Sequence, residues 1–470
     1  MITELASLLD RSTTKLTGGN ERPGEPPLVR GTIPYLGVAV EFGRHAGELL
    51  SACQREHGDV FTLLLAGERM TFVLDPHAYP TVLKLQKELT FDGIAFELSA
   101  TAFGHTRAWE QVLDIGVFRE FYGQHLKGAA LGGLAERMQH KLDATAPPGG
   151  ERGWRRGKLC DFVARWMFDA GMDTLFGDGA ASDRALEDFR VYDRAFPLLV
   201  AGVPVRLLRG VGAARDRLAA VFGEDRTNES ELMQARTRYM RGRVSEHDRH
   251  RMQLSILWAS QANTVPAAFW SLAFLLHDPE AKAAVIEEIR AVAGDGPIGA
   301  EHLKKLRRLE SAMQEALRLS SASLTMRRVE RDMSLTLGDG RSHRLREGDR
   351  VCLYPYVTHR DPELYPEPTR YLYDRFLAAD GSPRQFFKGK KRVTIPLMPY
   401  GGGVSMCPGR FLANSEVMQF VATALTRFDF ELEGELPALD QTRAGLGILP
   451  PVDDVDVSYR RRQCPSFTQS

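Results

Sequence analysis

Apolar residues recur along this chain mainly at the three- and four-residue spacing of one buried helix face. The spacing predicts one helix that starts after Gly409 and another that starts near Leu303. Two short stretches between turn signals, residues 334–337 and 349–353, predict strands. We therefore expect a mainly α protein with small β-sheets, of the α+β class. The helical positions are Val417, Phe420, Val421, Ala424, Leu425 and Phe428 in the first helix, and Leu303, Leu306, Leu309, Met313, Ala316 and Leu317 in the second.

The longest uncharged stretch, residues 253–276, has the hydropathy of a membrane-spanning helix. Its centre argues against that assignment, because polar residues cluster at 260–264, where lipid would penalise them most. Pro266 also removes a backbone donor. A buried, locally distorted central helix is therefore the better prediction. Downstream, Asp278 followed by Pro279 is typical of a helix start, with a capping side chain and a proline at the first position.

Composition argues against several classes of function. The 61 basic and 61 acidic residues balance, and a sequence pI near 7.2 gives no global attraction to nucleic acid. The five cysteines are scattered without paired spacing, so neither a disulfide framework nor a zinc site is indicated. The first 20 residues have neither an apolar run of membrane length nor the layout of a signal peptide. A chain of 470 residues fits two or three domains or one large enzyme domain equally well.

The most informative residue is Cys407, which lies in a glycine-rich loop, residues 400–409, just before the predicted helix. Three consecutive glycines permit backbone angles that other residues avoid, so this loop could approach a flat cofactor closely. A helix N-terminus just after the cysteine would favour the thiolate over the thiol. A buried structural cysteine in a turn is the alternative that this residue alone leaves open.

The loop resembles the haem-binding loop of the cytochrome P450 monooxygenases, whose pattern is Phe-Gly-x-Gly-x-Arg-x-Cys-x-Gly. The glycines and the cysteine match, whereas Tyr400 stands for the phenylalanine and Ser405 for the basic residue. The resemblance implies the P450 fold and haem b as cofactor, with Cys407 as the axial ligand of the iron. It also implies that Tyr400, Gly403 and Gly409 contact the cofactor.

The cations that would pair with the haem propionates stay unassigned. Ser405 cannot form an ion pair as the basic residue of the family does. The family's tryptophan and arginine, four residues apart on an early helix, are not matched either, because Trp109 is followed at that spacing by Leu113.

Two further motifs resemble those of the family. Residues 260–264 match its distal helix segment Ala-Gly-x-Asp/Glu-Thr, which implies catalytic parts for Thr264 and Asn263. Because an amide does not ionise, Asn263 is expected to hydrogen-bond to substrate or water; satisfying helix carbonyls near Pro266 is an equally weighted alternative. The family's buried structural triad is matched by Glu315, Arg318 and Arg375.

Other stretches resemble the branch of the family that includes sterol 7α- and 12α-hydroxylases and prostacyclin synthase. This likeness implies a monooxygenase that hydroxylates a sterol, first of all cholesterol at the 7α position, the entry to bile acid synthesis. The alternatives are oxysterol 7α- or sterol 12α-hydroxylation, a haem-thiolate isomerase, and a non-catalytic lipid- or haem-binding protein. Thr264 favours oxygenation over isomerisation, because the isomerase of this branch does not keep the threonine. The stretches are residues 22–28, 33–37, 196–202, 258–264, 317–324 and 440–451, and the expected substrate contacts are Trp258, Gln261, Asn263, Ser323, Leu324, Leu446 and Ile448.

The family also implies partners and a location. Electrons are expected from an NADPH-cytochrome P450 reductase, because no nucleotide-binding fingerprint is evident in the chain. We expect a monomer that binds no nucleic acid, at the cytosolic face of the endoplasmic reticulum membrane, with peripheral membrane contact through residues 196–202. The expected organisation has three parts: an N-terminal segment without a transmembrane anchor (1–20), a single domain (21–460) and a tail (461–470). A basic run could dock the electron donor: Lys388, Lys390, Lys391 and Arg392.

Overall fold

The structure is a computed structural model, and it describes residue 19 and residues 21–148, 153–294 and 296–462. The predicted segment 1–20 and the predicted tail 461–470 therefore lie almost wholly outside the described residues. Within the described ranges, no helix is both long enough and apolar enough to cross a bilayer.

Helices carry most of the regular structure in the described part of the chain, as the apolar spacing predicts. The helices are α1 (Ala39–His57), α2 (Tyr79–Lys84), α3 (Asp92–Phe103), α4 (Ile115–His125), α5 (Gly128–Ala144), α6 (Leu159–Phe176), α7 (Asp183–Arg194), α8 (Phe196–Val200), α9 (Val211–Ala220), α10 (Glu231–Met240), α11 (Glu246–Gln261), α12 (Thr264–His277), α13 (Pro279–Ala293), α14 (Ala300–Leu303), α15 (Arg307–Ser320), α16 (Pro355–Thr358) and α17 (Arg410–Arg427). Short 3₁₀ turns lie at Arg107–Gln111, Val205–Leu207, Val221–Gly223, Gly403–Ser405 and Gln441–Arg443.

The strands form small sheets, so the predicted α+β class is confirmed. The strands are β1 (Leu28–Val29), β2 (Val60–Leu65), β3 (Glu68–Val73), β4 (Leu89–Thr90), β5 (Arg155–Lys158), β6 (Thr325–Val329), β7 (Met333–Thr336), β8 (Ser342–Leu345), β9 (Arg350–Leu353), β10 (Phe387–Lys388), β11 (Lys391–Arg392), β12 (Phe428–Glu433) and β13 (Asp456–Arg461). The largest sheet has the order β1-β2-β3-β9-β6-β4, and a second has the order β12-β13-β5. The strands predicted at 334–337 and 349–353 appear as β7 and β9.

The largest hydrophobic core lies where α6, α12, α15 and α17 pack together. The apolar face predicted for α17 is buried in it, and Phe420 and Val421 are inaccessible to solvent. Because α17 begins three residues after Cys407, burial of this helix fixes the C-terminal end of the cysteine loop. Helix packing and the site are therefore directly connected.

The predicted distortion of the central helix is confirmed as a break between α11 and α12. Helix α11 ends at Gln261 and α12 starts at Thr264. Pro266 has no N–H with which to bond to the carbonyl of Ala262, four residues earlier, so the helical ladder cannot run through this point. The break places Thr264 at the first turn of α12.

The other predicted helix start near Leu303 is partly wrong. Residues 300–303 form the separate short helix α14, and α15 starts only at Arg307. Leu306, between them, has a non-helical ψ of 68° and is fully buried. The start at Asp278 is confirmed, because its carboxylate accepts a hydrogen bond of 3.0 Å from the backbone N–H of Ala281.

Glu315, Arg318 and Arg375 form a buried ion-pair network. Arg318 donates to both carboxylate oxygens of Glu315, over 2.7 and 2.8 Å, and Arg375 donates to one of them over 2.8 Å. Glu315 carries one negative charge and faces two guanidinium groups, so backbone carbonyls stabilise the remaining positive charge. Arg318 donates to His359 and Pro368, and Arg375 donates to Pro366 and Glu367. The network thus ties residues 359–375 to α15.

We predict that Glu315→Gln destabilises the protein strongly, by about 3–5 kcal/mol, because it leaves two buried guanidinium groups without their anion. Glu310→Gln is the matched control on the same helix: Glu310 pairs with Arg307 at the same spacing, over 3.1 Å, but both side chains are exposed. That control should change the free energy of unfolding by less than about 0.5 kcal/mol. Denaturant unfolding measures both values, and equal effects would contradict the structural role.

Candidate active site

The cysteine loop is shaped by close packing of its glycines. Gly401 and Gly403 have positive φ angles of 65° and 68°, which glycine adopts without strain. A Cβ atom on Gly402 would lie 2.6 Å from Cδ1 of Leu83, so no larger residue fits there without a shift. The backbone N–H of Cys407 donates to the carbonyl of Tyr400 over 2.9 Å and closes the loop. These contacts hold the cysteine backbone in one conformation.

The surroundings of Cys407 have opposing effects on the pKa of its thiol. Burial raises the pKa of the Cys407 thiol, whereas hydrogen bonds from the backbone amides of Gly409 and Arg410, together with the charge of Arg410, act to lower it. The balance lies on the raised side. The amides at the helix N-terminus therefore act in the expected direction, toward the thiolate, but burial outweighs them in the chain by itself. A cation at the sulfur is needed to reverse the balance.

Most of the predicted site residues line one cavity of about 390 Å³ that Cys407 borders. Most of its wall is apolar, with a few hydroxyl and amide groups between the apolar side chains. The cavity lies at the break between α11 and α12, beneath residues 445–448 of the C-terminal region. The predicted residues on its wall are Thr264, Asn263, Tyr400, Cys407, Gly409, Ser323, Leu324, Leu446 and Ile448.

Trp258 and Gln261 were expected to contact substrate, but neither is among the residues that line this cavity. The ring of Trp258 stacks on Phe196 at 3.7 Å and its N–H donates to Asp193, away from the cavity. The side chain of Gln261 is buried against Gly171 of α6. Helical spacing puts both residues on faces of α11 that turn toward other helices. The sequence pattern alone did not distinguish these faces from the face that meets the cavity.

Asn263 and Thr264 lie side by side on the cavity wall. The side-chain oxygen of Asn263 accepts a hydrogen bond of 2.9 Å from the backbone N–H of Ile448. This differs from the alternative in which Asn263 satisfies helix carbonyls near Pro266, because its partner belongs to the C-terminal region. Thr264 is 5% exposed and borders the same cavity as Cys407.

Sequence reasoning missed Arg327, a buried cation on the cavity wall. Its guanidinium donates to the carbonyls of Met326 and Gly402 and lies 5.6 Å from the ring centroid of Phe91. In β6, Thr325, Arg327 and Val329 alternate onto the buried face. An arginine at an inward strand position was the signal that could have identified it, because such a charge is costly without an anionic partner.

A second cavity, of about 680 Å³, shares Phe91, Tyr122, Ser405 and Pro408 with the first. Gly403 borders this one instead of the first. Its wall is rich in cations, and one of them, Arg236, is 3% exposed and hydrogen-bonds only neutral groups among the described residues. The cations on this wall are Arg119, Lys127, Arg236 and Arg410.

The residues present fit haem. A buried thiol with amide donors around it suits an iron ligand. Arg327 and the cations of the second cavity suit two carboxylates. A carboxyl group on the cavity wall, that of Glu416, could repel the carboxylates of haem. Burial raises the pKa of this carboxyl to about 8, so it is largely neutral near pH 7 and adds little negative charge.

Comparison with known proteins extends the likeness over nearly the whole chain. A family model described as cytochrome P450 matches residues 221–456. The protein named cytochrome P450 7A1 from Oryctolagus cuniculus is 37% identical, over 93% of this chain and 94% of its own length. Cholesterol 7-alpha-monooxygenase from Cricetulus griseus is 36% identical over 93% and 94%. The 7-alpha-hydroxycholest-4-en-3-one 12-alpha-hydroxylase of Homo sapiens is 34% identical over 93% of both chains.

We predict that Arg327→Leu weakens haem retention, because a charge-assisted hydrogen bond to a carboxylate contributes about 1.5–3 kcal/mol. Haem should pass to an acceptor protein about ten times faster than from the unmodified chain. Arg328→Leu is the matched control, since Arg328 is the next residue of β6 and faces solvent. Equal rates of haem loss in the two variants would contradict a cofactor role for Arg327.

Proposed function

The chain belongs to the cytochrome P450 family and is a monooxygenase related to sterol hydroxylases; from this premise we propose that it hydroxylates cholesterol at the 7α position. Relatives named for 7α- and for 12α-hydroxylation match at similar identity, so the position is the finer part of the proposal. The observation that supports sterol oxidation most is that Thr264 and Cys407 border one mostly apolar cavity. Sterols are apolar molecules with few hydroxyl groups, and such a wall suits them.

Each residue has a defined part in the proposed mechanism. Cys407 would hold the haem iron through its sulfur, and its loop would limit the access of water to that sulfur. Haem, when bound, supplies the iron that activates dioxygen. The hydroxyl of Thr264 holds and passes a proton at its Oγ1 atom, as an alcohol both donates and accepts hydrogen bonds. Tyr400, Gly403, Gly409 and Arg327 complete the cofactor site.

Asn263 is proposed to orient the substrate. Because its oxygen is engaged by Ile448, its amide nitrogen is the group left for a ligand. We infer that this nitrogen donates to the 3-hydroxyl oxygen of the sterol, directly or through water. Leu446, Ile448, Leu324 and Ser323 form the rest of the proposed substrate wall. Fixing one end of a rigid ring system determines which carbon approaches the iron.

The electron source and location follow from the family. We propose that an NADPH-dependent cytochrome P450 reductase supplies the electrons, and that the enzyme works as a monomer at the endoplasmic reticulum membrane. Leu198 and Leu207, which are 49% and 69% exposed, are consistent with peripheral contact with lipid. Residues 21–460 are proposed as one domain.

Reconstitution with reductase, NADPH and cholesterol tests the function. We expect one oxygen atom to be added at C7 in the α orientation, as judged by mass spectrometry and comparison with standards. Cys407→Ser should abolish the product. Oxidation only at C12, or only of an oxysterol, would refute cholesterol 7α-hydroxylation while leaving sterol oxidation intact. Rearrangement of an oxygenated lipid without reductase would refute both.

The basic hairpin of β10 and β11 gives a second prediction. Lys388 is engaged by Asp361 at 2.7 Å, whereas Lys390 and Lys391 are exposed. Changing both exposed lysines to glutamate should slow reduction by the reductase, most clearly at low salt, because charge mainly raises the association rate. Lys304→Glu with Lys305→Glu makes the same charge change at an exposed site near α14 and should leave the rate unchanged. Identical stopped-flow rates in both double variants would contradict docking at the hairpin.

A further inference from the structure

Asp193, near the end of α7, joins three segments that are distant in the chain. Its carboxylate oxygen accepts hydrogen bonds from the indole N–H of Trp258, over 2.8 Å, and from the guanidinium of Arg443, over 2.9 Å. Arg443 also donates to the backbone carbonyl of Asp193 over 2.7 Å. We call Asp193, Trp258 and Arg443 the Asp193 junction. It connects α7, α11 and the 3₁₀ turn at Gln441–Arg443.

The junction is shielded from water. Arg443 is 6% exposed, and the side chain of Asp193 is 21% exposed. The rings of Trp258 and Phe196 stack at 3.7 Å with an interplanar angle of 11°, and Phe103 packs against both. In this setting water replaces a lost ionic hydrogen bond poorly, so the guanidinium of Arg443 depends on Asp193 for its position.

Arg443 leads directly into the segment that covers the cavity, residues 444–448, which we call the cavity loop. The N–H of Leu446 bonds to the carbonyl of Arg443 over 3.1 Å, so the two residues move together. Leu446 and Ile448 line the cavity, whereas no atom of the Asp193 junction does. The junction therefore reaches the cavity through this loop and through α11, whose residues Ile256, Ala259 and Ser260 also line the cavity.

The cavity loop is attached at two sides. On one side, Gly445 donates to the carbonyl of Ala322 over 2.8 Å, and Ile448 donates to the side chain of Asn263 over 2.9 Å. On the other side, the Arg443–Asp193 contact fixes the start of the loop. Gly445 and Gly447 have positive φ angles of 95° and 134°, so the loop backbone has conformational freedom of its own. Its shape depends on both attachments.

We propose that the Asp193 junction determines which carbon of the substrate is oxidised, by fixing Leu446 against the ring system. This inference rests on the proposed function, in which the cavity holds a sterol. Asp193, Trp258 and Arg443 are positioning residues, because they act through Leu446 and touch neither substrate nor cofactor. Loosening the junction lets Leu446 shift, so that the substrate binds in more than one orientation. The total oxidation rate falls less than the selectivity, since the cysteine loop and Thr264 are unchanged.

Asp193→Asn tests this with little change in volume, because asparagine keeps an oxygen acceptor but removes the charge that Arg443 requires. Trp258→Phe keeps an aromatic ring beside Phe196 but removes the N–H together with part of the indole, and should have the smaller effect, because the Arg443–Asp193 ion pair is kept. Asp188→Asn is the matched control: Asp188 is buried on the same helix and pairs with Arg217 over 2.6 Å, but has no contact with the cavity loop. All variants are compared as holoenzymes with equal haem content.

Two measurements decide the outcome. With cholesterol, the ratio of minor to major oxidation products should rise at least about tenfold in Asp193→Asn and stay unchanged in Asp188→Asn. Without substrate, hydrogen exchange at residues 444–448 should quicken in Asp193→Asn alone. Unchanged product ratios despite faster exchange would overturn the control of selectivity, and unchanged exchange would overturn the junction itself. If the unmodified enzyme oxidises no sterol, the proposed function fails, and the selectivity claim fails with it. The exchange result still decides whether the junction holds the loop.

Discussion

The proposed site depends on one buried sulfur atom, that of Cys407, becoming negatively charged. Burial raises the pKa of Cys407, and the amides of Gly409 and Arg410 offset only part of that effect. In the proposed site a bound iron ion would stabilise the thiolate further, so cofactor binding and thiolate formation would be linked. The glycines allow the loop to pack closely, since a Cβ atom on Gly402 would lie 2.6 Å from Cδ1 of Leu83.

The loop keeps its shape because the surrounding elements are fixed to one another. Helix α17, buried in the main core, sets its exit, and the hydroxyl of Ser323 sets its entry by donating to the carbonyl of Pro399 over 2.9 Å. The network around Glu315 ties residues 359–375 to α15. The cavity loop is held by two other contacts, because Asn263 accepts a hydrogen bond from Ile448 and Arg443 donates to Asp193. The cysteine loop and the cavity loop are thus held by different sets of polar contacts.

Local signals predicted much of the fold. The capping residue Asp278, the apolar face of α17 and the proline in the central helix each act within a few residues of themselves, and these predictions are confirmed. The direction of Trp258 could not be predicted in this way, because its partner Asp193 is 65 residues distant. Arg327 and Arg443 were missed for a similar reason: a buried arginine is identified by neighbours that only the fold assembles. Helical periodicity identified α11, but not which of its faces meets the cavity.

The absorption spectrum of the reduced protein with carbon monoxide tests the central claim most directly, because it reports the atom opposite the gas on the iron. We expect the spectrum of thiolate ligation for the unmodified chain and for Cys352→Ser, whose cysteine is fully buried in β9 and away from the cavity. Cys407→His should bind haem without that spectrum. A thiolate spectrum that persists in Cys407→His would contradict the assignment of the iron ligand and everything built upon it.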